Sequence, residues 1–300
     1  ARYRSRRRFI SMNDEYQSHL IEGERAGMRY ALEPPLTASA ALAGLQLGRQ
    51  AGASLEFRDH RDYQPGDDLR RIDWNAFARS DRLTIKLYRE EISPHIDIVL
   101  DGSCSMALES TAKARAAIGL AAAFAVAAEN AGYSHNAWLA RAYVEPVANG
   151  SNRPSSWRSL DLDFRGNPAE GFTRTPPRFR RQGVRVLISD LLWMGEPIAV
   201  LQSLAQGAAS LVVAQTLASV DANPPERGRL RLLDSETDER RDIFIDDGAI
   251  RRYRDALARH QQNWHRACRQ IGAVMVSVIA EEIVADWNLE ALVKAGVLKV

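Results

Sequence analysis

The sequence predicts an α/β protein, a mostly parallel sheet flanked by helices, with a β-rich extension at its N-terminal side. Three observations carry this reading. From Ile96 onward, short apolar runs of strand character alternate with helical stretches, the rhythm of successive βαβ units. The helical stretch at 110–131 is apolar or Ala-rich nearly all round, as expected of a helix pressed against such a sheet. Residues 1–95 lack the rhythm and show Pro-Gly turns and short β-like runs in its place.

Taken in order, the chain opens on Arg2, Arg4, Arg6, Arg7 and Arg8 with no acid among them, which reads as a solvated terminus able to touch an anionic surface. A helical patch near 36–50 leads into "EFRDHRDYQPGDDLRRIDWNAFARSDRLTIKLYREE". There Gly66 follows Pro65 in a turn whose amides Asp67 and Asp68 can accept. Arg70 and Arg71 are placed to pair with Asp62 or Asp73, and Trp74 is expected to pack beneath a strand. "RLTIKLYRE" alternates polar and apolar residues, a half-exposed strand. The α/β part starts with the buried strand "IDIVLD", followed by the helix at 110–131. "HNAWLARAYVEPVA" reads as a strand or hairpin, "VRVLISD" (184–190) as a second buried strand, and Pro197 to Ala208 as a helix. "SLVVAQTLA" is a third strand. Residues 228–247 form a hairpin insert turning near Thr237–Glu239. A long helix near 248–271 then precedes the fourth strand, "AVMVSVIAE". Two regions follow: 1–95, comprising tail, helical patch and β-rich segment, and 96–300, the α/β domain.

Composition narrows the function classes. The chain has 300 residues, 45% hydrophobic and 26% charged, with a net charge of +2; this fits an ordinary globular protein and offers no broad basic footprint for nucleic acid. Residues 56–91 hold eight Arg/Lys against nine Asp/Glu, a balance that suits ion pairs or a protein-binding face. Two cysteines, Cys104 and Cys268, supply neither a disulfide framework nor metal spacing and suit a reducing cytoplasm. The longest apolar stretch, Ala116 to Ala128, is too short to span a bilayer, and the basic start runs into "SMNDEYQSHL" rather than a signal-peptide core. A cytoplasmic protein with at most peripheral membrane contact is expected.

Chemistry concentrates where the first strand ends. In "DIVLDGSCSM", Asp101, Ser103 and Ser105 alternate, so a tight loop can turn three oxygens toward one point. Ligands of open α/β sheets bind outside the carboxyl ends of the strands. One carboxylate and two hydroxyls form a hard-oxygen set suited to Mg²⁺ or Mn²⁺. Asp190 ends "VRVLISD" and would join the set if its strand were a neighbour. The alternative is that both serines satisfy loop amides and cap the next helix. Spacing alone leaves both open. A serine nucleophile is disfavoured, since the segment lacks G-x-S-x-G and no histidine is placed as its base. His260 and His265 are five apart and do not share a zinc-binding helix face, and no phosphate-binding glycine loop occurs.

These residues carry a resemblance. "DGSCS" resembles the D-x-S-x-S loop of the von Willebrand factor A fold, a Rossmann-like α/β fold whose metal-ion-dependent adhesion site binds Mg²⁺. The run from "GASLEFRDHRDYQPGDDLRRIDW" through "DIVLDGSCSM", "LISDLL" and "GRLRLLDSETDE" resembles the bacterial family called domain of unknown function 58, over roughly residues 48–300. The resemblance implies that Asp101, Ser103 and Ser105 form the first metal loop and that Asp190 is the acid of the third. Thr173 of "GFTRTPP" would be the second-loop threonine, with Thr175 next, although Pro176–Pro177 depart from the pattern. It further implies a MoxR-type AAA+ ATPase as partner, and a non-enzymatic adaptor role linking that ATPase to a client protein. Arg70, Arg71, Asp73 and Trp74 would form a partner surface, although bolting the extension onto the α/β domain is the simpler role for that segment. The competing function is a metal-dependent hydrolase or phosphotransferase built on the same Asp/Ser cluster.

Overall fold

The structure, a computed structural model, describes residues 12–33, 56–64, 67, 72–89, 94–175, 177–223, 227–233 and 240–300. The helical patch near 36–50, the Pro65–Gly66 turn, Asp68, Arg70, Arg71, Pro176 and the hairpin turn at Thr237–Glu239 lie outside the described residues.

In chain order the elements are α1 (Met12–Gly27), β1 (Ala31–Leu32), β2 (Glu56–Asp62), α2 (Trp74–Ser80), β3 (Thr84–Arg89), β4 (His95–Asp101), α3 (Lys113–Asn130), β5 (Ser134–Ala140) and β6 (Val144–Pro146). Then come α4 (Ala169–Arg174), β7 (Val184–Ser189), α5 (Pro197–Ala205), β8 (Ser210–Leu217), α6 (Ser219–Ala222), β9 (Gly228–Leu233) and β10 (Arg240–Ile245). The chain closes with α7 (Asp247–Ile271), β11 (Val274–Ile279), α8 (Ala280–Asp286), α9 (Glu290–Lys294) and β12 (Leu298–Lys299).

Two compact units result, residues 1–37 with 94–300, and residues 38–93. In the larger unit a six-stranded sheet runs in the order β11-β8-β7-β4-β5-β6. All its pairings are parallel except β5 with β6, which is antiparallel. This is the expected mixed α/β architecture with a mostly parallel sheet flanked by helices. Every residue of β4, β7 and β8 is buried, because helices cover both faces of the sheet. Along β4, Ile98 and Leu100 join one core with Ile118 and Phe124 of α3, while Val99 joins the other with Leu187, Leu201 and Trp264. The hairpin expected at 228–247 is formed by β9 and β10, antiparallel from Gly228↔Ile245 to Leu233↔Arg240.

The N-terminal helix belongs to this unit, although the sequence groups it with the extension. It lies on α3, so α3 is covered by α1 on one side and the sheet on the other. The two backbones touch at paired glycines. A Cβ on Gly23 would lie 2.1 Å from the Gly119 carbonyl oxygen, and one on Gly119 would meet the Trp287 ring at 1.9 Å. Beyond α1, Ala31 and Leu32 pair with Lys299 and Leu298, tying the segment to the last strand.

In the smaller unit, β2 and β3 form an antiparallel pair with a register shift between Phe57 and Asp59. Asp73 is the N-cap of α2, its Oδ1 accepting from the amides of Asn75 at 3.0 Å and Ala76 at 3.1 Å. Trp74 does not pack beneath a strand. It opens the helix that Asp73 caps, is 61% exposed, and meets Phe77 edge-on. The buried apolar pair there is Ile72 and Ile85, which face each other in a β-bridge. Arg82 holds Asp62 at 2.9 Å, and Arg61 holds Asp67 at 2.7 Å. Asp67 also accepts from the Gln64 amide at 2.8 Å, as a turn acid is expected to do.

Candidate functional site

Strand order places the strand-end cluster. From β4 the chain leaves toward β5, and from β7 toward β8, so the loops after these two adjacent strands diverge. A crevice at such a switch point is where open α/β sheets bind ligands. Asp101 ends β4 and Asp190 directly follows β7. The neighbouring strands that the sequence reading required are thus present.

Asp101 is fully buried, and both its oxygens are committed. Oδ1 accepts from the Ser103 amide at 2.9 Å; Oδ2 accepts from Ser189 Oγ at 2.6 Å and Trp193 Nε1 at 2.8 Å. The Ser103 and Ser105 hydroxyls lie 3.1 Å apart, and Ser105 Oγ donates to Asp190 Oδ2 at 3.0 Å. The loop is pinned from outside: Cys104 N donates to the Phe164 carbonyl, and Phe164 N to that of Gly102. On the β7 side, Asp190 Oδ1 accepts from the Leu192 amide at 3.0 Å, and Gln215 donates to the Asp190 carbonyl at 3.1 Å. Between them Leu191 is fully buried in the left-handed region at φ 59°, a conformation that costs roughly 1–2 kcal/mol for a non-glycine residue. His260 Nε2 donates to the Leu191 carbonyl at 2.6 Å, and Ser189 Oγ accepts from the Leu191 amide at 2.8 Å. Several fixed contacts hold this strained turn.

The sequence reading missed the residue that dominates the electrostatics. Lys113, the first residue of α3, is 1% exposed. Its ammonium donates to Asp190 Oδ2 at 3.0 Å and reaches Asp221 Oδ2, beyond the end of β8, at 3.1 Å. Burial works against the charged lysine, but Asp190 and Asp221 outweigh it and hold its pKa above the ordinary value. Asp101 is pushed up to about 6, by burial first and then by the charge of Asp190, against the bonds from Ser189 and Ser103. Its carboxylate form is the one that accepts all three of these bonds.

Ser189, Trp193 and Asp221 also escaped the sequence reading. Asp221 had a signal, an acid a few residues past an apolar strand run, like Asp101 and Asp190. Lys113 had a weaker one, a cation at the head of a helix otherwise apolar nearly all round. Of the expected residues, Asp101, Ser103, Ser105 and Asp190 come together. Thr173 does not join them: it is exposed on α4, and its hydroxyl donates back to the Glu170 and Ala169 carbonyls at 3.2 and 3.4 Å. Thr175 is exposed just beyond the same helix.

The donor set does not fit the expected Mg²⁺ or Mn²⁺. A small dication needs several oxygens whose lone pairs converge without cationic neighbours. Asp190 Oδ2 already takes a hydroxyl and an ammonium, Asp190 Oδ1 takes an amide, and Asp101 has three donors. The second-loop threonine is absent from the cluster, and a buried positive charge stands beside the carboxylate that would face the ion.

The family described as "Protein of unknown function DUF58" matches residues 59–264, about two thirds of the chain. The chain belongs to this family. Among relatives of this DUF58 chain, an uncharacterized protein of Mycobacterium tuberculosis is 26% identical over 261 residues, spanning 82% of this chain and 80% of that protein. An uncharacterized protein of Mycobacterium bovis matches with the same figures. Among solved structures, the conserved hypothetical protein BatB from Bacteroides thetaiotaomicron is 12% identical, with 67% of this chain and 98% of that chain covered and a TM-score of 0.31. An aerotolerance-related membrane protein from Bacteroides fragilis is 10% identical, with 67% and 99% covered and a TM-score of 0.33. Among the described residues of this DUF58 chain, no helix is long and apolar enough to cross a membrane.

Proposed function

We propose that the chain is a cytoplasmic, non-enzymatic adaptor of the von Willebrand factor A-like kind, working with a MoxR-type AAA+ ATPase to act on a client protein. One observation carries the reading. The loops that build the strand-end cluster commit their polar groups inward and turn apolar side chains out: Leu192 is 40% exposed, Met194 83% and Val220 53%. Leu192 and Met194 follow Asp190, and Val220 precedes Asp221, so a closed polar cluster is rimmed by side chains of the type that interfaces bury. The D-x-S-x-S segment at a switch point supports the fold kinship, and the family resemblance supports the ATPase. Mg²⁺ and Mn²⁺ have no part in the reading, because the donor set does not fit them.

The competing hydrolase or phosphotransferase has one point in its favour, the 3.0 Å contact from Ser105 to the carboxylate of Asp190. That carboxylate oxygen also accepts from the Lys113 ammonium at 3.0 Å, so it is already committed to a second donor. Binding of the chain to a purified MoxR-type ATPase, measured by calorimetry with wild type and with Leu192→Asp/Met194→Asp, tests the proposal. The adaptor reading expects binding that the double variant weakens by about ten-fold or more. No binding by the wild type, or turnover of phosphoester substrates by the chain alone, would sink it.

A further inference from the structure

We infer that the Lys113 ammonium fills the cation position of the strand-end cluster, so that this chain takes up no divalent metal there and becomes a metal binder only when that lysine is removed. Three acids approach this edge of the sheet, Asp101 from β4 and Asp190 from β7, both fully buried, and the partly buried Asp221 from beyond β8. Such a group needs a cation. Lys113 supplies one at 3.0 Å from Asp190 and 3.1 Å from Asp221. The lysine is 1% exposed, so the ammonium is shielded from solvent where it sits. A hydrated dication would have to displace a tethered cation that loses both carboxylates on leaving, and to shed its own water besides.

The position of Lys113 is fixed by packing. It opens α3, whose residues from Ala116 to Ala128 are all buried between α1 and the sheet, so the helix cannot slide to withdraw the side chain. Ser105 shares Asp190 Oδ2 with the ammonium, so the D-x-S-x-S loop and the lysine converge on one carboxylate oxygen. Two consequences follow. A partner's carboxylate cannot complete a metal coordination shell at this edge, and any docking there is insensitive to chelators. The inference stands whether or not an ATPase is the partner.

The test is Mn²⁺ uptake by the full chain, followed by electron paramagnetic resonance, for wild type, Lys113→Met and the double variant Lys113→Met/Asp190→Asn. Wild type is expected to show no stoichiometric uptake. Lys113→Met is expected to bind one ion at least about ten-fold more tightly than wild type, and the double variant to lose it. One equivalent bound by wild type and lost in Asp190→Asn would overturn the inference, as would a folded Lys113→Met that binds no better than wild type. If Lys113→Met fails to fold, amine acetylation of the wild type, read by mass spectrometry, decides. Lys113 protected equally with and without Mn²⁺ supports the inference, and labelling that rises with Mn²⁺ overturns it.

Discussion

Lys113 Nζ and Asp190 Oδ2 meet at 3.0 Å across 77 positions of sequence, and neither side chain is more than 1% exposed. The contact joins the start of α3 to the end of β7, so one ion pair ties the helix over the sheet to the loop after its neighbouring strand. Removing one member of a buried pair leaves the other charge uncompensated. Asp190→Ala is expected to lower unfolding free energy by about 3 kcal/mol, read as a shift in urea midpoint without a change in slope. A shift no larger than that of an exposed carboxylate, such as Asp163, would show the pair to be dispensable.

Trp193 donates its indole N–H to Asp101 Oδ2 at 2.8 Å within the core. Trp193→Phe keeps most of the apolar volume and deletes the donor, so it is expected to cost about 1.5–3 kcal/mol, the range for bonds to charged groups. Trp193→Leu should cost more, through the cavity it leaves.

The pH dependence of stability has a definite sign at Asp101. Its folded pKa, about 6, lies above the ordinary 3.8, so the folded state holds its proton more tightly than the unfolded chain does. Its contribution is therefore greatest below pH 4, falls as pH rises from 4 to 6, and is flat above. The urea midpoint of wild type minus that of Asp101→Asn, followed from pH 3.5 to 7.5, separates the Asp101 contribution from that of other carboxylates. Wild-type stability that rises relative to Asp101→Asn across that window would contradict the burial argument.

Gly23 and Gly119 bring α1 and α3 into backbone contact. Gly23→Ala places a methyl 2.1 Å from the Gly119 carbonyl oxygen, which is backbone and cannot swing away. The helices must separate, at a cost of about 1–3 kcal/mol from overpacking. Hydrogen exchange should then show faster opening of residues 12–27 than of β4.

Asp73 is 7% exposed and caps α2. Asp73→Ala is expected to cost about 1 kcal/mol and Asp73→Asn much less, because Asn also caps. Loss of partner binding in both variants, with stability unchanged, would assign Asp73 to a partner surface.

What was legible in the sequence follows from burial geometry. β4, β7 and β8 are covered on both faces, so their apolar runs are continuous, and Asp101 and Asp190, which close the first two runs, mark the edge of the sheet. Asp101, Ser103, Ser105 and Asp190 could be grouped because the first three are local and the fourth needed only adjacent strands. Lys113 could not, since a lysine at a helix start ordinarily faces solvent; its burial depends on Asp190 and Asp221 arriving from two other strands. Nor could α1, a polar helix whose close approach to α3 joins two glycines 96 residues apart. Thr173 was chosen by motif order, and its helix turns the hydroxyl back on its own backbone.

A crystal structure of the wild-type chain grown in Mn²⁺, with anomalous scattering measured at the manganese edge, tests the central claim most directly. The account predicts Lys113 Nζ within hydrogen-bond distance of both Asp190 and Asp221, with no anomalous peak near Ser103 and Ser105. A manganese ion held by those two hydroxyls, with Lys113 turned away from Asp190, would contradict it.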